Sequence, residues 1–203
     1  MATRRGKAIG PRTRRIGLAV FTGGLVIAMI PALMTRTSPQ TFLLQGGDAP
    51  SVEAAGLLAI AEKDINATNY GLALDTLQNA LRVDPQYADA SYDIGYIYQL
   101  LNKDSEAENQ YQFTLEIDPR FERALFNLGV LSANAGDVPG AISFYQRAIA
   151  DNGNDANAHF NLGLLLRQSG QRAEGNAQIQ AAVSLNSSLA SAAAAQGVPR
   201  NAR

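Results

Sequence analysis

The sequence predicts an all-α chain: four consecutive 34-residue helix–turn–helix repeats preceded by one transmembrane helix. Three observations predict it. Residues 83–95, VDPQYADASYDIG, are echoed by residues 117–129, IDPRFERALFNLG, with Asp-Pro, an aromatic and a Leu/Ile-Gly pair each displaced by 34 positions. From Ala54 the chain divides without insertion into 54–87, 88–121, 122–155 and 156–189, each with two stretches of helical periodicity around a short polar break. Residues 16–34, IGLAVFTGGLVIAMIPALM, are 19 positions without a charge.

The N-terminal part reads as a membrane address. As a helix, the uncharged run spans about 28 Å, close to the thickness of a hydrocarbon core. Arg4, Arg5, Lys7, Arg12, Arg14 and Arg15 precede it, only Arg36 follows closely, and residues 1–36 hold no acid. The positive-inside rule then places residues 1–15 in the cytoplasm and everything after Arg36 outside it, at a bacterial inner or plasma membrane. An uncleaved signal anchor is the expectation. A cleaved signal peptide, which would release a secreted or periplasmic protein, and a buried helix are the alternatives; no clear Ala-x-Ala site follows the run. Small residues at Ala19/Gly23 and Gly24/Ala28 would let two such helices pack closely, one route to self-association. Residues 35–53 form a linker punctuated by Pro39, Gly46, Gly47 and Pro50.

The repeats follow in order. The first is carried by Leu57, Ile60, Ala61, Ala73, Leu77, Ala80 and Pro85. In the second, Ile94, Gly95 and Tyr98 lead across Asn102-Lys103-Asp104 to Ala107, Tyr111 and Thr114. The third runs from Leu125, Leu128 and Gly129 to Ala141, Tyr145 and Ala148, with Pro139 in the first turn of its second helix, where a missing N–H costs little. The fourth runs from Leu162, Gly163 and Leu166 across Ser169-Gly170 to Gly175, Ile179 and Ala182. Two short helices cannot bury an apolar face alone, so each pair leans on the next and the packing contact recurs. Gly95, Gly129 and Gly163 are placed for close helix approach. Asp84-Pro85 and Asp118-Pro119 stop one helix and turn into the next; the third and fourth units carry Gly153 and Ser187 where that Pro would fall. Residues 190–203 read as a short Ala-rich cap and a tail, and a weak cap offers a second route to self-association.

On these residues the chain resembles the tetratricopeptide repeat family: a large residue, Leu-Gly, an aromatic, then Ala and an aromatic, and Pro at the turn between units. The resemblance covers 136 of 203 residues. It implies a right-handed superhelix whose first helices line a concave groove for a partner's peptide or segment. The groove residues it implies are Leu58, Glu62 and Ile65; Asp89, Tyr92, Asp93, Tyr96 and Gln99; Arg123, Phe126, Asn127 and Val130; and Asn157, Phe160, Asn161, Leu164 and Arg167, with the aromatics Tyr92, Tyr96, Phe126 and Phe160 as anchors and Arg123 and Arg167 meeting carboxylates. Chaperone-binding members hold a C-terminal carboxylate with Lys, Arg and Asn. Asn127 and Asn161 match the Asn, but Leu58, Tyr92, Phe126 and Phe160 stand where a Lys would, which argues against a chaperone tail. Asn at these places is also expected to bond the neighbouring backbone.

Composition narrows the rest. No Cys is present, which excludes disulfides, thiolate metal sites and a Cys nucleophile. Beyond residue 36, 10 Lys/Arg face 18 Asp/Glu, a net of −8 that argues against a nucleic-acid partner. Asp151, Gly153 and Asp155 alternate like a calcium loop, but its sixth and twelfth places hold Ala156 and Leu162, so the stretch reads as an inter-repeat turn ending in a helix cap. His159 stands alone and is expected to be packed and partly buried. There is no phosphate-cradling loop and no Ser/His/Asp set. The expectation is a non-enzymatic scaffold or adaptor at the cell envelope without cofactor or metal; an accessory subunit of a membrane enzyme or assembly complex is the further alternative.

Overall fold

The structure, a computed structural model, describes residues 50–198. The basic segment 1–15, the expected span 16–34, residues 35–49 of the linker and residues 199–203 lie outside the described residues. No described helix is long and apolar enough to cross a membrane.

Among the described residues there are nine α-helices and no strand. The pairs are α1 (Val52–Asn66) with α2 (Tyr70–Val83), α3 (Ala88–Leu100) with α4 (Asp104–Ile117), α5 (Glu122–Asn134) with α6 (Val138–Asp151), and α7 (Ala156–Gln168) with α8 (Arg172–Leu185). A 3-10 turn (Ser187–Leu189) and α9 (Ala190–Ala195) close the chain. The first helix begins two residues before the predicted start at 54, because the Ser51 hydroxyl caps it and accepts from the Ala54 amide at 3.1 Å.

Two turn designs alternate, and each repeats every 34 residues. Within a pair, one residue takes a left-handed backbone: Thr68 (φ 60°), Asn102 (57°), Gly136 (82°) and Gly170 (87°). The amide after it reaches back five residues, as in Asn69 N–H to Asp64 O at 2.8 Å and Gln171 N–H to Leu166 O at 2.8 Å, which satisfies carbonyls the helix end leaves open. Between pairs, Asp84, Asp118, Asn152 and Asn186 share an extended backbone (φ −128° to −138°). Each side chain accepts from the amide two residues on, at 3.0–3.1 Å. The Asx side chain therefore makes this turn, and the Pro that follows it in the first two repeats is dispensable.

Each helix packs on the next, and α1 also touches α3. The core is a chain of clusters, each shared by neighbouring repeats. Leu77, Tyr87, Ile94 and Ile97 join α1–α3; Tyr111, Ala124 and Leu128 join α4 and α5; Leu125, Tyr145 and Leu162 join α5–α7; Ile179, Ala193 and Val198 join α8 to the C-terminal cap. A Cβ on Gly95 would meet the Tyr111 ring at 2.8 Å, and one on Gly129 would meet Tyr145 at 2.8 Å. Gly175, which stands where the other repeats have Ala, lets α8 come closer still. A Cβ there would lie 2.6 Å from the Gly163 carbonyl oxygen. Burying these faces between repeats supplies the driving force for stacking.

Candidate protein-binding face

The first helices of the pairs, α1, α3, α5 and α7, present the residues of interest. At their centre, Asn127 on α5 donates from one amide nitrogen to two phenol oxygens, Tyr92 at 3.1 Å and Tyr111 at 3.0 Å. The Tyr111 hydroxyl in turn donates to Gln99 Oε1 at 2.8 Å. Asn161 repeats the motif on α7, donating to Tyr145 Oη at 3.3 Å. The expected bond from these Asn to the neighbouring backbone is replaced by bonds to buried tyrosine hydroxyls at the helix interface. Burial pushes the hydroxyls of Tyr92, Tyr111 and Tyr145 upward in pKa, so all three stay neutral donors and acceptors.

This network changes what several expected groove residues offer. Tyr92 is only 9% exposed and packs against Tyr96, Tyr111 and Phe121 at centroid distances of 6.4, 5.5 and 5.3 Å. It forms the floor of the face, whereas Tyr96, stacked on it at 6° and 38% exposed, remains open to a partner. Gln99 is half-buried and engaged by Tyr111. Phe126 is half-buried with its ring 5.6 Å from Tyr145. Phe160 is half-buried against the cluster under the cap. Arg167 does not stand free for a partner's carboxylate. It donates to the Asn176 side chain and to the Gln196 carbonyl, tying α7 to α8 and to the end of α9.

Arg123 is the cation that remains on the face. It pairs with Asp89, and its guanidinium lies over the Tyr92 ring at 4.4 Å and near Phe121 at 5.0 Å. Beside it sits Asp93, 8% exposed. Burial raises its carboxyl pKa from 3.8 to about 6; Arg123 opposes that shift, while Glu62 on α1 and Asp89 add to it. Tyr87 is buried next to the same acids, and its hydroxyl is pushed up first by burial and then by Asp89, Glu62, Asp93 and Asp84. The family resemblance places Asp93 in the groove with Glu62 and Asp89, but gives the acid no role of its own. The signal was its register: it stands 34 residues before Asn127 and 68 before Asn161, so an acid replaces the amide at one place in the repeat.

Further along the face, a cleft of about 370 Å³ opens between the third and fourth repeats. Val130 and Leu164 supply apolar walls, and Asn134, Asn161 and Gln168 supply amides. His159 is half-buried, as expected of a packing residue. Its Nε2 lies 3.2 Å from the Gly153 carbonyl oxygen and its Nδ1 2.6 Å from the Gln178 side-chain oxygen. Asp155 caps α7, accepting from the amides of Asn157 and Ala158 at 2.8 and 3.1 Å.

Two family models of the tetratricopeptide repeat match the chain, one over residues 58–112 and again over 101–157, the other over 144–175. The chain belongs to the tetratricopeptide repeat family. No curated protein matches it. Among solved structures it is similar to MamA, at 20% identity and TM-score 0.59 over 68% of this chain and 81% of that one. It is also similar to YrrB, a TPR protein with an unusual peptide-binding site, at 24% identity and TM-score 0.60 over 68% of this chain and 72% of that one. A third is the first TPR of Spaghetti (RPAP3) bound to the HSP90 peptide SRMEEVD, at 18% identity and TM-score 0.54 over 58% of this chain and 94% of that one. At these identities the likeness is one of fold.

Proposed function

We propose that this chain is a protein–protein interaction scaffold that holds a partner's peptide or extended segment along the face of α1, α3, α5 and α7, and that it works by binding alone. One observation carries the reading. The face is fixed from beneath by the Asn127–Tyr92–Tyr111 network, yet it leaves Tyr96 and the cleft beside Asn161 uncovered. Preorganised aromatic and amide groups of this kind bind with little ordering cost. That YrrB has a peptide-binding site and the Spaghetti TPR holds a peptide makes such an occupant reasonable for this chain.

The scaffold is displayed at the cell envelope. Residues 16–34 anchor it in the inner or plasma membrane, residues 1–15 stay in the cytoplasm, and the repeats of 54–189 face the other side. The charge pattern around the apolar run supports this topology. Because the chain is free of Cys, a single Cys placed at the exposed Asn154 gives a clean probe. A membrane-impermeant maleimide should label it in cells whose outer barrier alone is permeabilised. Labelling only after full lysis would reverse the topology, and a mature N-terminus near Thr35 would replace the anchor with a released protein.

The binding face is tested by cross-linked pull-down from membranes. Tyr96→Ala combined with Gln168→Trp removes one exposed anchor and fills the cleft at two exposed positions, sparing the core. One or a few proteins captured by wild type should be lost from the variant while its helical circular dichroism is unchanged. Retention of the same proteins would move the interaction to another surface.

A further inference from the structure

We propose that the first two repeats carry a receptor for a single organic cation, the guanidinium or ammonium of an Arg or Lys side chain in the partner segment, built by Asp93 with Glu62 and Asp89. This inference rests on the binding face proposed above and names the chemistry of what that face accepts.

Asp93 is nine-tenths buried, and among the described residues it has neither a hydrogen bond nor an ion pair. A buried carboxylate in that state is costly, and native structures rarely keep one without a partner. No buried side-chain oxygen without a partner is fully sealed from solvent, so what Asp93 still exposes includes its carboxylate oxygens. The acid itself is therefore within reach of solvent. The one cation beside it, Arg123, is committed to Asp89 and to the Tyr92 ring. Three carboxylates against one guanidinium leave a deficit of positive charge at this end of the face.

The site suits a cation on a long arm. Among the described residues no group of three or more acids or His is arranged to hold a metal ion. An Arg or Lys side chain reaches into an opening with its apolar stem along the wall and its charged head at the end. Tyr96, exposed at the rim and stacked on Tyr92, offers a ring face for that stem or head. An approaching carboxylate would be repelled here, so this end of the face excludes a peptide's C-terminal carboxylate.

The raised pKa of Asp93 supports the same reading. Its charge is suppressed by burial, with Arg123 from α5 holding the pKa down and Glu62 from α1 and Asp89 from its own helix pushing it up. A bound cation would restore the ionised form, so binding should weaken as pH falls below about 6.

The test uses the full chain in a non-ionic detergent and fluorescence anisotropy. The probes are labelled apolar peptides of one length whose central residue is Arg, Lys, Gln or Glu. The Arg and Lys probes should bind roughly tenfold or more tightly than the Gln probe, as a charge-assisted hydrogen bond allows, and the Glu probe should bind least. Asp93→Asn should erase the Arg-over-Gln preference while raising the melting temperature, so a loss of binding cannot be a loss of fold. Equal binding of all probes, or a preference that survives in Asp93→Asn, would overturn the cation receptor and leave the binding face standing. If no probe binds, the Gln form included, the receptor and the binding face it rests on fall together.

Discussion

Asp93 shows how one residue sets a balance between stability and binding. Its folded-state pKa of about 6 lies above the ordinary 3.8, so folding takes up a proton between those values. Stability then falls as pH rises through that window; the penalty is complete above pH 6 and absent below about 4. Asp93→Asn should raise the unfolding free energy by about 1–3 kcal/mol at pH 7, with the gain gone by pH 4, as denaturant melts across pH will read. A variant less stable than wild type at pH 7 would mean that the carboxylate has a partner and stabilises the fold. Asp93 also marks the limit of reading residues singly. The family resemblance puts it on the face, but that an acid has replaced an amide there shows only when Asn127 and Asn161 are seen at the same place in later repeats. Tyr92 marks a second limit. The family resemblance placed it on the face, but whether it lines the floor or stands open depends on Phe121 and Tyr111, which reach it from the neighbouring turn and helix.

At the scale of elements, the turns carry most of the regularity. The left-handed position within each pair holds Thr68, Asn102, Gly136 and Gly170 in succession, and only the last two avoid a Cβ. Thr68 is the poorest fit, since it is β-branched at a φ of 60°. Thr68→Gly should stabilise the first pair by roughly 0.5–1 kcal/mol, the left-handed penalty less the added entropy of Gly in the unfolded chain. A thermal melt shifted down would show that the Thr side chain contributes something the backbone geometry hides. The helices were legible because their period of apolar residues is set by local packing, and Gly95, Gly129 and Gly163 fell where close approach required them. The turn after the third and fourth repeats was less legible. Its missing Pro drew attention, whereas Asn152 and Asn186 keep the same backbone through an Asx bond that any Asp or Asn can supply. The reach of Arg167 to the C-terminal cap was not readable at all, because its acceptor is the backbone carbonyl of Gln196, 29 residues away and without a sequence signature.

Over the whole molecule, charge and chemistry are unevenly spread. The segment before residue 37 is wholly basic and the remainder is acidic by eight charges. The face of α1, α3, α5 and α7 follows suit, with carboxylates around Asp93 at one end and an apolar cleft with amides at the other. A partner segment lying along it would meet an acidic site first and a neutral one two repeats later, which gives the face a direction. The repeated fold itself carries no such asymmetry; it arises where single residues depart from the repeat.

The central claim is that the partner lies on the face of the odd-numbered helices, and photo-crosslinking tests it most directly. Tyr96 on α3 and Phe113 on α4 are both aromatic and similarly exposed, 38% and 41%, but sit on opposite helices of one pair. Each is replaced in turn by a photoreactive benzoyl-phenylalanine in the full chain, and membranes are irradiated. The account predicts a discrete protein adduct from position 96 and none from position 113. An adduct from position 113 with none from position 96 would contradict it.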